Sequence, residues 1–97
     1  MIIRIVKLTF QPDKVNKFVK LFTEERKKIV QFDGCKKVEL WKDADSDNIF
    51  FTYSEWNNKE SLEKYRSSSF FKSTWTRAKM FFADKAQAWT VNQIPAN

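Results

Sequence analysis

The chain of 97 residues has no histidine, one cysteine and one glycine. Without histidine, the most common general base of enzymes is unavailable. The single glycine, Gly34, excludes the glycine-rich loops that hold phosphate through backbone N–H groups. The sequence shows no metal-ligand cluster and no nucleophile triad, so we predict that function depends on the fold and on the character of a pocket.

Long apolar runs are also missing, and none approaches the length that spans a bilayer. Met1 leads directly into a strand-like pattern without the apolar segment of a signal peptide. Cys35 has no partner for an internal disulfide, which is typical of a reducing compartment. We therefore expect a cytoplasmic protein without membrane association, and the length favours a single domain over residues 1–97.

Basic and aromatic residues are abundant. Lysine and arginine number 18 against 12 acidic residues, which gives a formal charge of +6, and aromatic residues make up 16% of the chain. The aromatic content indicates a packed globular domain. The charge would suit nucleic acid, an anionic membrane surface or a small anion. The lysines are scattered along the chain, however, so a solvated basic surface is the simpler interpretation.

The hydrophobic pattern predicts the order β-α-β-β-α-β, with the second helical region split by Ser67–Ser69. Asp13 is the predicted cap of the first helix, Asn57 or Asn58 of the second, and Ser68 or Ser69 of the third. The predicted strands are Ile2–Phe10, Lys36–Lys42, Ile49–Trp56 and a last strand from Asp84 or Lys85 to about Gln93. The first helix is predicted from about Lys14 to Gln31, with Gly34 as a left-handed cap behind it.

This order predicts a ferredoxin-like α+β fold, in which a four-stranded antiparallel sheet carries both helical regions on one face. Either Phe51 and Tyr53 or Phe50 and Trp56 must then point away from the helices. A monomer would expose an apolar patch on that face. A second copy packed sheet to sheet would cover it; a bound nucleic acid is the competing explanation.

The acidic segment 43–48 resembles half of a calcium loop. It lacks the glycine and the terminal glutamate of an EF-hand. We interpret it as a hairpin turn and predict no metal site.

Three segments resemble the antibiotic biosynthesis monooxygenase family of the dimeric α/β-barrel superfamily: FTYSEW (51–56), KESLEKY (59–65) and SSSFF (67–71). The shared pattern is an acidic-aromatic strand end with a tryptophan, a short helix with a spaced leucine, and a serine before an aromatic residue. The resemblance spans essentially the whole chain, and it implies a homodimer that forms a dimeric α/β barrel through the open sheet face.

Members of that family include cofactor-free oxygenases of phenolic or quinol-like substrates and haem-degrading enzymes. The family often has a histidine nine positions after the strand-end tryptophan, where this chain has Tyr65. Haem-degrading relatives bind haem through a histidine at the position of Trp75. Because histidine is absent, haem degradation through such a ligand is not supported. The resemblance implies a monooxygenase that needs no cofactor and acts on a hydrophobic aromatic substrate.

Such an oxygenase binds the deprotonated substrate in a dry pocket, where the anion reacts with O₂. We predict catalytic roles for Tyr65 and Trp75, and substrate binding by Tyr53, Phe71, Trp89 and Arg4, in a pocket between sheet and helices. Lys7 or Arg77 would be further anion-stabilising groups, and Glu39 or Glu55 would be proton acceptors. Each of these residues also has a purely structural interpretation, since aromatic stripes are more often core than site.

Two other functions remain open. A ligand-binding or stress-related dimer without turnover fits the same fold, and the lack of a histidine base favours it. An RNA-binding RRM domain has the same element order. The third strand, NIFFTYSEW, lacks the glycine and the basic start of the RRM signature, so the sequence argues against nucleic acid as a partner.

Overall fold

A computed structural model describes residues 1–96. Four antiparallel strands form one sheet in the spatial order β2-β3-β1-β4. The strands are β1 (Ile2–Thr9), β2 (Cys35–Lys42), β3 (Ile49–Trp56) and β4 (Gln87–Asn92). The helices are α1 (Val15–Ile29), α2 (Lys59–Arg66) and α3 (Ser69–Lys79). The predicted ferredoxin-like α+β fold is confirmed.

The core lies between one face of the sheet and the helices. Val6 and Leu8 of β1 point into it, as does Phe10 just beyond the strand, because alternate residues of a strand share a face. Phe10 is fully buried, and its ring stacks on that of Phe18 in α1 at 4.1 Å between centroids. Trp56, at the end of β3, is also fully buried. The buried side chains of the sheet thus come from the central strands β1 and β3 and, through Val38, from β2.

No helix of residues 1–96 covers the opposite face, which we call the open face. The register places Ile5 of β1 between Tyr53 of β3 and Trp89 of β4, so these three residues form a row across the sheet. Trp41 of β2 stacks on Tyr53 with 4.6 Å between ring centroids. Trp89 and Trp41 are 46% and 41% exposed. The apolar patch expected on this side is therefore present, and Tyr53 rather than Trp56 contributes to it.

Two helix caps follow the sequence prediction. The Asn58 side chain accepts a hydrogen bond from the Ser61 backbone N–H at 2.9 Å, and Ser68 accepts one from Phe71 N–H at 3.0 Å. Gly34 has a φ of +83°, and an added Cβ would lie 2.5 Å from the Ser61 Cβ. The Asn57 N–H donates to the Gly34 carbonyl at 2.8 Å. These contacts fix the start of α2 against the start of β2.

Two predicted boundaries are wrong. Asp13 does not cap α1: Pro12–Lys14 form a separate 3₁₀ turn, in which proline suits the first position, and the N-cap of α1 makes no side-chain hydrogen bond. β4 begins at Gln87, later than predicted. The chain before it is held differently, since the Ala83 N–H donates to the Thr9 carbonyl at 2.8 Å and Phe82 forms an isolated bridge with Phe10.

The acidic segment 43–48 joins β2 to β3 as a hairpin turn, as predicted. Over residues 1–96, no three His, Cys, Asp or Glu side chains are grouped so that they could hold a metal ion. Nor does any helix of that range have the length and apolarity needed to cross a membrane.

Candidate functional site

A small cavity of about 90 Å³ lies between the sheet and the helices. Its walls are mostly aromatic and aliphatic, with few polar groups. The lining includes Arg4, Val6, Thr52, Tyr65, Phe71 and Trp75. Apolar walls with a few convergent polar groups are the usual character of small-molecule sites.

Arg4 is the charged group of this cavity. Its position on central strand β1, opposite Ser54 of β3 and Thr90 of β4, places it on the helix side of the sheet. Arg4 is only 8% exposed. Burial lowers the pKa of its guanidinium from the ordinary value, and the nearby charge of Arg66 acts in the same direction. An arginine nevertheless stays protonated in proteins, so the cavity contains a positive charge.

Tyr65 is held in the cavity wall by other aromatic rings. Its ring stacks on Trp56 at 5.0 Å and meets Phe71 edge to face at 5.1 Å. Burial raises the pKa of the Tyr65 hydroxyl well above its ordinary value, although the positive charge of Arg4 opposes this shift. The hydroxyl is therefore protonated at neutral pH, where it can donate a hydrogen bond but does not act as a base.

Trp75 forms a wall between this cavity and the protein surface. It stacks on Phe71 at 6.0 Å with an angle of 10° between the rings, and meets Phe82 edge to face at 5.5 Å. Trp75 also lines an open surface groove together with Lys79 and Lys85. It is thus the residue that the cavity and the groove share.

Four of the six predicted site residues meet in the cavity: Arg4, Tyr65, Phe71 and Trp75. The expectation that Tyr53 and Trp89 line the same pocket is wrong. Both lie in the row across the open face, one sheet thickness away, because they are offset by an odd number of residues from the core positions of their strands. A role of these six residues in catalysis or substrate binding stays a prediction.

The other charged candidates are placed elsewhere. Glu39 and Glu55 lie on the open face, where Glu39 accepts a hydrogen bond from Trp41 and Glu55 accepts one from Tyr53. Lys7 also lies on that face, opposite Phe51. None of these groups serves the cavity as a proton acceptor or an anion-binding group.

Arg77 is already paired. Its Nη2 lies 3.0 Å from Oε1 of Glu25, and the Thr74 hydroxyl lies 3.5 Å from the other carboxylate oxygen. Glu25 is only 5% exposed, and the sequence analysis missed it. Its position gave a signal, because it follows Phe18 and Phe22 on the apolar stripe of α1 and precedes Ile29. Thr52 was missed as well, although it shares a face of β3 with Phe50 and Trp56.

The raised pKa of Tyr65 predicts a loss of stability at high pH. The folded state holds the hydroxyl proton to a higher pH than the unfolded chain, so the contribution is complete below about pH 10 and declines as pH rises toward the folded-state pKa. We expect the free energy of unfolding to fall above about pH 10 by up to about 1.4 kcal/mol per pH unit for this group. Urea denaturation between about pH 8 and about pH 11 measures this decline in the free energy of unfolding.

The matched control for this prediction is the second tyrosine. Tyr65→Phe should flatten the decline, whereas Tyr53→Phe should change it less, because the Tyr53 hydroxyl lies at the surface and its pKa is raised mainly by its hydrogen bond to Glu55. An unchanged slope in Tyr65→Phe would contradict the proposed burial of its hydroxyl.

Several solved structures have the same fold as this chain. A conserved protein from Methanosarcina mazei Go1 aligns with a TM-score of 0.90 at 20% identity, over 97% of this chain and 94% of that chain. SnoaB, a cofactor-independent oxygenase from Streptomyces nogalater whose structure is that of a mutant, aligns with a TM-score of 0.86 at 12% identity, over 98% and 94%. At these identities the similarity shows the fold alone. No curated protein matches the chain.

The match to a family model identifies the family, which the structural similarity alone does not. The family model described as antibiotic biosynthesis monooxygenase matches residues 1–77, which include β1, β2, β3, α1, α2 and most of α3. These are the elements that provide the cavity residues named above. The chain belongs to the antibiotic biosynthesis monooxygenase family.

Proposed function

We propose that the protein is a cofactor-independent monooxygenase that acts on a quinol- or phenol-like aromatic substrate in the cavity between sheet and helices. Family membership supports a monooxygenase, and the name of SnoaB describes a cofactor-independent oxygenase. The observation that carries the proposal is the cavity itself, where aromatic walls surround the positive charge of Arg4 and the protonated hydroxyl of Tyr65.

The proposed reaction requires few catalytic groups from the protein. A phenol or anthrone loses its proton to water before it enters the cavity, and binding beside a cation favours this ionisation, because an opposite charge favours the charged form. Its carbanion or enolate then reacts with O₂. When an anthrone is oxidised, the substrate CH₂ becomes a carbonyl, one oxygen atom enters the product and the other leaves as water. The substrate supplies all the electrons, and the protein contributes the dry pocket and the hydrogen bonds to the developing oxyanion.

The size of the cavity sets a condition on this reaction. A cavity of about 150 Å³ is known to bind benzene, and the volume here is about 90 Å³. A polycyclic substrate therefore requires that a wall moves. Trp75 is the wall that borders the surface groove, so we include its displacement in the proposal.

Oxygen consumption tests the proposal. We expect pure, metal-free protein to consume O₂ with at least one member of a panel of quinols and anthrones, above the rate of autoxidation without protein. Tyr65→Phe should lower the rate, since it removes a donor to the oxyanion; removing one such donor costs about 10²–10³-fold in a well-studied case. The control Lys72→Met changes an exposed lysine on α3 and should keep the rate. No oxygen uptake with any substrate would contradict the proposal.

A ligand-binding protein without turnover is the second candidate. The position of the carboxylates favours it, because Glu39 and Glu55 lie on the open face and Glu25 is paired with Arg77. The same panel separates the two functions: this candidate predicts binding of the aromatic compounds without oxygen uptake.

We also propose that the open face is covered by a second copy of the chain. The resemblance to this family implies a homodimer, and the row of Ile5, Tyr53 and Trp89 gives an apolar surface that would be shared between two copies. A C₂ axis would pack each open face on its partner. The cytoplasmic location stays a prediction of the sequence analysis.

A further inference from the structure

Arg4 is a buried charge without a protein partner. None of the salt bridges and none of the side-chain hydrogen bonds found among residues 1–96 includes its guanidinium. The other buried charged residue, Glu25, is paired with Arg77. Burying an unpaired charge is costly, and proteins keep such groups mainly where they have a function.

The guanidinium nitrogens of Arg4 must reach free space. No fully enclosed side-chain nitrogen or oxygen of the described residues lacks a hydrogen-bond partner. Since the Arg4 guanidinium has no such partner, its nitrogens are not fully enclosed, although the residue is only 8% exposed. Arg4 lines the cavity, and we infer that its guanidinium nitrogens face this space.

The carboxylates of Glu25 and Glu63 are each hydrogen-bonded to another arginine, and the charge of Glu63 affects the pKa of Arg4 less than the charge of Arg66 does. Glu25 is bound by Arg77, and Oε1 of Glu63 lies 3.2 Å from Nη1 of Arg66 on the exposed side of α2. Arg66 adds a second positive charge to the surroundings of Arg4. Tyr65 lines the same cavity, and no hydrogen bond of its hydroxyl is found among the described residues. The polar side chains among the described residues of the cavity lining are thus Arg4 and the hydroxyls of Tyr65, Thr52 and Thr74, without a carboxylate.

We propose that the cavity recognises acidic aromatic ligands, whose single anionic oxygen group (phenolate, enolate or carboxylate) is bound by Arg4 and receives a hydrogen bond from Tyr65. The apolar body of the ligand then lies against Phe71 and Trp75. This inference rests on the proposed function only in taking the cavity as the binding site, and it narrows the substrate class to compounds that bind in ionised form. A neutral aromatic compound of the same shape leaves the charge of Arg4 unpaired.

The test compares two matched pairs of ligands, benzoate with benzamide and 2-naphthoate with 2-naphthamide. Binding is measured by calorimetry and by tryptophan fluorescence under nitrogen, at neutral pH. We expect at least one carboxylate to bind about tenfold or more tightly than its amide, since hydrogen bonds to charged groups are roughly twice as strong as neutral ones and an unpaired buried charge adds to the difference. Arg4→Met should abolish this preference and leave amide binding within about threefold.

The net charge of the protein requires a control, because +6 attracts any anion. Lys72→Met lowers the charge by the same amount as Arg4→Met, and Lys72 is exposed on α3 outside the cavity. A preference lost equally in both variants, or absent from the wild-type protein, would overturn the inference. So would the failure of all four ligands to bind. If Arg4→Met does not fold, the comparison of carboxylate and amide binding to the wild-type protein still tests the inference.

The result of this binding test can be distinguished from the result of the oxygen-consumption test. Anion preference without oxygen uptake from any quinol would support this inference and contradict the monooxygenase. Oxygen uptake without anion preference would support the monooxygenase and contradict a role of Arg4 in selecting ionised ligands.

Discussion

Replacing Arg4 with methionine is expected to raise the free energy of unfolding by about 1–3 kcal/mol, although the same change removes the anion preference of the cavity. Arg4 is 8% exposed and has no ion-pair partner among the described residues. Methionine fills a similar volume without a charge to desolvate, and its flexible chain adapts to irregular core space. Residues kept for binding often reduce stability in this way.

Thermal and urea denaturation at neutral pH measure this effect. For a chain of 97 residues, 1 kcal/mol corresponds to a change in Tm of about 4–8 °C. The matched control is Arg77, the arginine that is paired with Glu25. Arg77→Met leaves the Glu25 carboxylate buried without its partner, so we expect it to lower the free energy of unfolding by about 1–3 kcal/mol.

The two arginine variants should therefore change stability in opposite directions. A loss of stability in Arg4→Met would mean that packing of its aliphatic stem outweighs the cost of its charge. Arg4 would then be a structural residue, and the argument for an anion site would lose its energetic basis.

Replacing Trp89 with glutamate is expected to separate the proposed dimer into monomers. Trp89 is 46% exposed in the single chain, on the row with Ile5 and Tyr53. In a symmetric interface the change occurs twice, so two carboxylates would be buried in an apolar contact. Like or unpaired charges at an interface cost several kcal/mol, which corresponds to a rise in the dissociation constant of about 100-fold or more.

Light scattering over a range of protein concentrations gives the mass. We expect a dimer for the wild-type protein and for Lys72→Glu, which places the new carboxylate on an exposed position of α3, and a monomer for Trp89→Glu at micromolar concentration. Single-stranded RNA should not change the wild-type mass. A wild-type monomer that gains mass with RNA would contradict the dimer and indicate that the exposed aromatic side chains stack on bases.

The sequence predicted the elements well because the relevant signals are local. The bounds of β3 are those predicted, Ile49–Trp56, and the caps at Asn58 and Ser68 follow from side chains that bond to backbone groups three residues away. Asp13 failed as a cap because Pro12 begins a separate 3₁₀ turn. Local signals thus determine most of the element order but not each helix start.

The site was predicted less completely, since it depends on which face of each strand meets the helices. Phe51 and Tyr53 alternate with Phe50 and Trp56, and both pairs are aromatic, so hydrophobicity cannot assign the faces of β3. The wrong placement of Tyr53 in the pocket follows from this ambiguity, and that of Trp89 was corrected only by the register, which pairs it with Ile5 rather than with Arg4. The pairing of Glu25 with Arg77 joins residues 52 positions apart, and no local pattern indicates it.

The position of Trp75 between the cavity and the groove also has a kinetic meaning. In the proposed displacement, a ligand larger than the cavity waits until this side chain leaves its stack with Phe71 and its edge-to-face contact with Phe82. The observed rate of association should then reach a plateau at high ligand concentration, set by the rotation of an indole ring in the wall rather than by diffusion. A ligand small enough to enter without this rotation would associate faster than a larger ligand of equal affinity.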